Sequence, residues 1–307
     1  MDSLREQLLI LISTPFYVIV ILGEMLLSHY RHTNTYTLRD TLTNLYLMLL
    51  NSGVDLAFRL VYLVIFQWFW VHRVFEFQTQ FWYWFWLVVG MDFLYYWLHR
   101  MDHVSRFFWA VHVTHHSSDH YNLTVGFRSS VFQPLYRFIY FIPLSMAGFK
   151  SVDILFVFAA TQIWGILVHT EHVRKMGWLE HILVTPSHHR VHHASNALYL
   201  DKNMGMFLII WDKWFGTFQP ELTEKEYEPV RYGLTTPLKK KDAIHVVFHE
   251  WINIFKDLFN PQKPLKTKFW YLFGPPGWSH DGSTLTSDQM REKEGLDKKT
   301  APKQAEV

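Results

Sequence analysis

The chain of 307 residues is half hydrophobic and 18% aromatic, and its formal net charge at pH 7 is only +2. Charged residues make up 18% of the chain, against roughly 25% in soluble domains. This composition argues against a disordered chain, and also against an ordinary soluble globule, which would need an unusually large core for so many aromatic side chains. The weak net charge, without a basic stripe, argues against a nucleic-acid partner.

Five apolar stretches in the first 170 residues approach or exceed the length that crosses a bilayer, about 20 residues. They are residues 8–27, 45–71, 81–98, 131–148 and 152–168. The second contains Asp55 and Arg59, whose spacing of four allows an ion pair on one helix face. The third opens with aromatic residues typical of a membrane interface. The pattern predicts an all-α integral membrane protein with four to five transmembrane helices.

The distribution of basic residues predicts the orientation of these spans. Segments 99–130 and 169–307, if they share one side of the membrane, carry most of the 29 Lys and Arg residues. The opposite side would show Arg5, Arg73 and Lys150. By the positive-inside rule, the larger face is therefore predicted to be cytoplasmic.

The chain has no cysteine but 19 histidines. The absence of thiols excludes disulfides, thiolate zinc sites, iron–sulfur clusters and a cysteine nucleophile. Any metal ion must therefore be bound by His, Asp or Glu.

Three clusters contain eight of these histidines: His99 and His103; His112, His115 and His116; and His189, His192 and His193. Residues three or four apart share a helix face, so each cluster directs two or three imidazoles to one point. Eight imidazoles exceed the coordination number of a single ion, and the pattern predicts a dimetal centre in a histidine-rich helical cap. Imidazole suits zinc, copper, iron and nickel, and the spacing does not choose among them.

The position of the clusters limits the kinds of reaction that the predicted metal centre could catalyse. The H-E-x-x-H arrangement of a hydrolytic zinc site is absent, and the first cluster directly follows an apolar stretch. Two iron ions at a membrane face, without cysteine ligands or a haem motif, suit the use of O2 to oxidise an unactivated C–H bond. A lipid that enters from the bilayer is the natural substrate.

The clusters and their surroundings resemble the fatty acid hydroxylase/sterol desaturase superfamily, and most closely its alkylglycerol monooxygenases. The similar segments include DFLYYWLHRMDH at 92–103, FWAVHVTHHSSDHYNLTVGFRSS at 108–130, TPSHHRVHH at 185–193 and DKNMGMFLIIWDKWFGTF at 201–218. The resemblance covers roughly residues 40–280. It implies that the eight clustered histidines bind iron, and that His169, at the end of the last span, is a further candidate ligand or else an interfacial histidine.

Three other residues are candidates for the site. His188 lies four residues before His192 and is a possible extra ligand. Asp92 lies seven residues before His99 on the same helix face and could orient a ligating imidazole; alternatively it pairs with Arg100 or caps a polar pocket. Glu171 is either an outer partner of an imidazole or an ordinary surface acid.

The sequence divides into four predicted regions, of which the catalytic one follows the resemblance. They are an N-terminal transmembrane region at 1–80, a fatty acid hydroxylase-like catalytic domain at 81–220, a cytosolic membrane-surface segment at 221–282 and a disordered tail at 283–307. Within the third region, apolar residues at helical spacing over 243–259 predict an amphipathic helix that lies on the bilayer or on the protein body. The tail is predicted to be disordered because it is polar and lacks periodicity.

The resemblance implies a non-haem diiron monooxygenase that uses O2 and an external reductant to hydroxylate a lipid, with an ether lipid among the candidates. Val104 departs from the subfamily, which usually has Glu at this position beside a tetrahydrobiopterin donor. The electron donor, a donor protein or a reduced pterin, therefore stays open. Two alternatives remain. One is a sterol or fatty-acid desaturase or C-4 oxidase with the same centre; the other is a non-catalytic metal-binding or transport protein, for which polar residues should continue through the spans.

Overall fold

The computed structural model describes residues 2–296, and within that range the chain is helical. The described residues form eleven α-helices: α1 Asp2–Arg31, α2 Leu38–Val71, α3 Gln80–Val104, α4 Arg106–His116, α5 Pro134–Met146, α6 Ser151–Leu167, α7 Pro186–His192, α8 Ile210–Phe215, α9 Ala243–Leu258, α10 Leu265–Phe273 and α11 Ser287–Lys293. Three short 3₁₀ helices lie at Leu123–Phe127, Gly177–His181 and Ala197–Tyr199. The described residues form two isolated β-bridges and no strand, as an all-α fold requires.

Helices α1, α2, α3, α5 and α6 form a bundle with two different ends. At one end, here called the distal end, Arg5 of α1 pairs with Asp153 of α6 (Nη1–Oδ1 3.2 Å). Trp70 near the end of α2 donates to the carbonyl oxygen of Gly148, just after α5 (3.2 Å). Tyr83 near the start of α3 donates to Asp153 (2.7 Å). The starts of α1, α3 and α6 and the ends of α2 and α5 therefore meet there.

The opposite end, here called the histidine end, gathers the other helix termini. Glu24 of α1 accepts hydrogen bonds from the backbone of Leu123 (2.8 Å) and from the hydroxyl of Thr170, which follows α6. Asn44 near the start of α2 donates to Thr124 (3.0 Å). The chain thus runs along the bundle five times, and α4 and α7 add to its histidine end.

Two helical segments, Leu11–Arg31 and Leu38–Val71, are long and apolar enough to cross a membrane. Most of their side chains are exposed rather than packed in a core, which suits contact with lipid. The 17-residue helix α6 is also apolar but shorter. These segments suggest a membrane protein. The predicted ion pair within α2 is present, with Arg59 and Asp55 3.0 Å apart (Nη2–Oδ2), and Arg137 of α5 contacts the same carboxylate.

Helix α3 positions the first histidine cluster. It begins after Thr79, whose hydroxyl accepts from the backbone of Trp82 and caps the helix. It continues past the predicted apolar stretch to Val104, so that His99 and His103 lie on its last two turns. Ser105 then breaks the helix in extended conformation, and α4 turns back over the end of α3.

The C-terminal part of the described chain packs against the histidine end. A helix, α9, forms over the segment where helical spacing predicted one; its Val246 and Ile254 are buried, while its Phe248 and Phe255 are exposed. The prediction of disorder from residue 283 is wrong for 283–296. There α11 begins with a reciprocal capping box between Thr286 and Gln289 and is tied to the body of the protein. Residues 297–307 lie outside the described residues.

Candidate metal centre

The structure brings nine histidines together at the histidine end, in two adjacent groups. The five-histidine group consists of His99, His103, His112, His116 and His192. The four-histidine group consists of His115, His169, His189 and His193. Within each group the candidate ligand nitrogens all lie within 4.8 Å of one another. The eight clustered histidines and His169 are therefore all placed where they could bind metal.

The second and third sequence clusters are divided between the groups. Successive residues of an α-helix are rotated by about 100°, so neighbouring histidines point in different directions. His115 and His116 accordingly join different groups, as do His192 and His193. Helices α4 and α7 each supply ligand candidates to both groups, which keeps the two groups side by side.

The tautomers of two members of the four-histidine group, His169 and His115, can be read from their outer hydrogen bonds. Nδ1 of His169 lies 2.6 Å from the carbonyl oxygen of Gly165, and Nδ1 of His115 lies 3.1 Å from that of Arg128. A carbonyl oxygen only accepts, so both Nδ1 atoms carry the proton and both Nε2 atoms present lone pairs. These two Nε2 atoms are 3.3 Å apart.

Two facing lone pairs cannot hydrogen-bond, and a cation between them removes the repulsion. Two nitrogens that each lie about 2.1 Å from one ion are roughly 3.0–3.4 Å apart for octahedral to tetrahedral angles. The Nε2 distances from His169 to His189 and His193 are 3.0 and 3.1 Å. The donor set and its spacing therefore fit a bound metal ion.

The five-histidine group has the same organisation. Nδ1 of His99 donates to the carbonyl oxygen of Met204 (2.8 Å), and Nδ1 of His192 to that of Lys202 (2.9 Å). The Nε2 atoms of His103 and His192 are buried and have no hydrogen-bond partner within the described residues. A buried nitrogen without a partner is costly unless a ligand satisfies it, and a metal ion would do so.

Burial favours the neutral form of four of the grouped histidines: His112, His116, His169 and His193. Desolvation is the main cause that lowers the pKa of His169 to about 4, and it lowers the pKa of His112, His116 and His193 well below the usual value. Neighbouring histidines lower the last three pKa values further. A metal binds the neutral imidazole, so the ligand form is already present at neutral pH.

A segment that motif spacing did not single out supports the five-histidine group. Residues 201–204 follow the third cluster and bring the carbonyl oxygens of Lys202 and Met204 to His192 and His99. Asp212 holds this segment by accepting from the backbone N–H groups of Met204 (2.7 Å) and Gly205 (2.8 Å). The sequence signal for this segment was the DKNMG stretch, one of the segments that carry the resemblance. The resemblance by itself assigned no role to its residues.

Asp102 is a second residue that the sequence reasoning missed, although it lies inside the first cluster. It is fully buried, accepts from Gln133 (2.8 Å) and Tyr136 (2.6 Å), and lies 3.8 Å from Nδ1 of His112. Its carboxylate therefore borders the five-histidine group.

The remaining sequence candidates have other contacts. His188 lies outside both groups, and its Nδ1 accepts from the backbone of Thr185 in the capping box of α7 (3.3 Å). The expectation that Asp92 orients an imidazole is corrected: it accepts from the backbone of Phe207 and Leu208 and from the indole of Trp211. Glu171 is exposed, and among the described residues no hydrogen bond joins it to either group.

A cavity of about 130 Å³ reaches the groups from the side of the C-terminal segment. His103, His116 and His192 of the five-histidine group form part of its wall, with His193 beside them. Trp109 and the residues around Gly277 and Met290 close the other sides. Small molecules can thus approach the imidazoles without crossing the bundle.

The fold and the site define a class: helical proteins with long apolar helices and a polyhistidine centre at one end of the bundle. Comparison with known proteins shows what the chain is similar to. Residues 84–217 match the family profile described as Fatty acid hydroxylase. The resemblance predicted from the sequence is therefore confirmed over these residues.

The chain is 38% identical to alkylglycerol monooxygenase of Homo sapiens, over 87% of this chain and 59% of that protein. It is 33% identical to alkylglycerol monooxygenase of Xenopus tropicalis, over 95% of this chain and 65% of that protein. A Delta(7)-sterol 5(6)-desaturase of Gibberella zeae is 27% identical over 52% of this chain and 51% of its own length. The chain thus spans about three fifths of the length of the alkylglycerol monooxygenases. No solved structure matches it.

Proposed function

We propose that this chain is a membrane-embedded, O2-dependent diiron monooxygenase that hydroxylates a C–H bond of a lipid. The observation that carries the proposal is the pair of adjacent histidine groups, in which nine imidazoles converge and the lone pairs of His169 and His115 face each other. Relatives named monooxygenase, sterol desaturase and lipid hydroxylase support oxidative chemistry on lipids. Under this proposal the five-histidine and four-histidine groups each hold one iron ion, and His188 is not a ligand.

Bound iron would supply the activation of O2, which side chains cannot provide. The residues of the chain orient the imidazoles and shield the site from bulk water. Outer hydrogen bonds to Met204, Lys202, Gly165 and Arg128 fix the ring orientation and the tautomer of four imidazoles. Burial of the groups limits access of bulk water, and the cavity beside His116 leaves one approach open.

We propose an ether lipid as the substrate, because the relatives with the highest identity above are named alkylglycerol monooxygenases. One oxygen atom of O2 enters the C–H bond beside the ether oxygen, and the other leaves as water after uptake of two electrons and two protons. The resulting hemiacetal separates into an aldehyde and an alcohol. The electrons come from a donor protein or a reduced pterin. Val104, which is 43% exposed at the end of α3, offers no polar side chain to a pterin.

We propose that α1, α2, α3, α5 and α6 cross the membrane and that the histidine end is cytoplasmic. Most basic residues lie in segments 99–130 and 169–307, which follow helices that end at the histidine end, whereas Arg5 lies at the distal end. The exposed apolar side chains of α9 and α10, among them Phe248, Phe255 and Phe269, would rest on the bilayer beside Lys239–Lys241.

The test uses the full chain, purified in lipid nanodiscs and loaded with iron under a chemical reductant. With an ether lipid we expect O2 consumption, a product that gains one oxygen atom, and release of aldehyde. His116→Ala should abolish turnover, whereas His245→Ala, on the outer helix α9, should retain it. Absence of bound iron together with absence of O2 consumption on any lipid would refute the proposal. A product that lost two hydrogen atoms would instead identify a desaturase, as named among the relatives.

A further inference from the structure

The outer partner of His103 differs from those of the other grouped histidines. Nδ1 of His103 lies 3.1 Å from the Oδ1 atom of Asp201, and the His103 side chain is only 4% exposed. Within the described residues, this is the one hydrogen bond between a grouped histidine and a carboxylate. His99 and His192 use backbone carbonyls instead. The inward Nε2 atom of His103 has no partner among those residues.

The backbone around Asp201 is shaped to present this carboxylate. Asp201 and Asn203 both have positive φ angles, 55° and 54°, a conformation that Asp and Asn tolerate better than most residues. Asn203 is fully buried and donates to the carbonyl oxygens of His188 (3.0 Å) and Gln219 (2.7 Å). On the other side, Arg291 of α11 donates to the carbonyl oxygen of Leu200 (2.8 Å). The carboxylate is therefore held in place from both sides.

We propose that Asp201 is a positioning residue for the metal ion of the five-histidine group and acts through His103. This inference rests on the proposed function, since it presumes that the group binds metal. The carboxylate holds the proton on Nδ1, aims Nε2 at the ion and raises the electron density of the ring. His103 also lines the cavity, so Asp201 acts on the ion that small molecules reach.

The two groups should differ in their dependence on Asp201. In the four-histidine group, the outer partners of His115 and His169 are the carbonyl oxygens of Arg128 and Gly165, which side-chain substitution leaves in place. Among the described residues, no hydrogen bond or ion pair joins Asp201 to that group. A substitution of Asp201 should therefore weaken the binding of the ion in the five-histidine group and leave the binding of the other ion unchanged.

The experiment compares the intact chain, Asp201→Ala, Asp201→Asn and the control Asp281→Asn, which removes an exposed carboxylate that accepts hydrogen bonds from Ser283. Metal per chain and its retention against a chelator are measured in detergent. Mössbauer spectra of protein loaded with ⁵⁷Fe then report each ion separately. We expect one ion of Asp201→Ala to be released roughly 10- to 100-fold more easily. Asn keeps an acceptor without the charge, so Asp201→Asn should bind more tightly than Ala, with one altered iron signal.

The melting temperature separates positioning from a general loss of structure. Asp201→Asn should melt within a few degrees of the control and still show the altered iron signal. Equal retention of both ions and identical spectra in all four proteins would overturn the role of Asp201 while leaving the metal centre intact. An equal loss of affinity for both ions would also overturn the role of Asp201. An intact chain that binds no metal would overturn this inference and the proposed function together.

Discussion

Removal of His169 provides a sharp test of the two-group arrangement, because this residue lies outside the three sequence clusters. Its Nε2 atom is 3.0 Å from that of His189, 3.1 Å from that of His193 and 3.3 Å from that of His115. It is therefore central to the four-histidine group and is not a member of the five-histidine group. His169→Ala should release one of two ions and leave the five-histidine group loaded.

The size of the effect follows from the number of ligands. Four-ligand zinc sites bind with about 10–16 kcal/mol, so one imidazole of four contributes roughly 3 kcal/mol, or about 150-fold in affinity. Metal per chain should fall from about two to about one after exposure to a chelator that the intact protein resists. Elemental analysis of the dialysed protein measures this directly.

The matched control is His181→Ala, which removes an exposed imidazole outside both groups. It should retain both ions. The reasoning would be refuted if His169→Ala kept two ions with the chelator resistance of the control. Loss of both ions would show that the two groups do not bind independently, which the separate donor sets do not predict.

Three further outcomes are expected. The chain has no cysteine, so Lys240→Cys and Lys150→Cys each create a single thiol. An impermeant maleimide applied to inverted vesicles should label only the Lys240→Cys variant. Labelling of only the Lys150→Cys variant would contradict a cytoplasmic histidine end. Asp55→Asn removes the carboxylate that Arg59 and Arg137 share and should destabilise the protein by about 3 kcal/mol. The melting temperature in detergent should fall, and an unchanged melting temperature would contradict this prediction. Removal of metal by a chelator should also lower the melting temperature, because the facing lone pairs at His169 and His115 lose their counter-charge, and readdition of iron should restore it.

The bundle helices were predictable because each depends on a local pattern. The apolar stretches marked α1, α2, α3, α5 and α6, since about 20 apolar residues in a row leave few alternatives to a helix. Their ends were less predictable. Helix α2 starts at Leu38, in polar sequence, because Thr37 caps it and Asn44 is buried against Thr124. That contact joins residues 80 positions apart, which no local pattern reveals.

The convergence of the histidines within each cluster was also predictable, whereas their assignment to two groups was only partly so. The rotation of about 100° between neighbours separates His115 from His116 and His192 from His193. It does not say which member of one pair joins which member of the other. That depends on how α4 crosses α7, and on His169, whose place in the four-histidine group is set by the end of α6.

The contrast between Asp92 and Asp201 shows why the outer partners could not be read from helical periodicity. Asp92 shares a helix face with His99, but seven residues of helix span about 10 Å, too far for a hydrogen bond to the imidazole. A partner for an inward-pointing histidine must be a backbone carbonyl nearby in the sequence or come from a distant segment. Gly165 and His169 use the first arrangement, and Asp201 and His103, 98 residues apart, use the second. Asp92 instead anchors Phe207 and Leu208, close after the segment that carries Asp201, so its effect on the site is indirect.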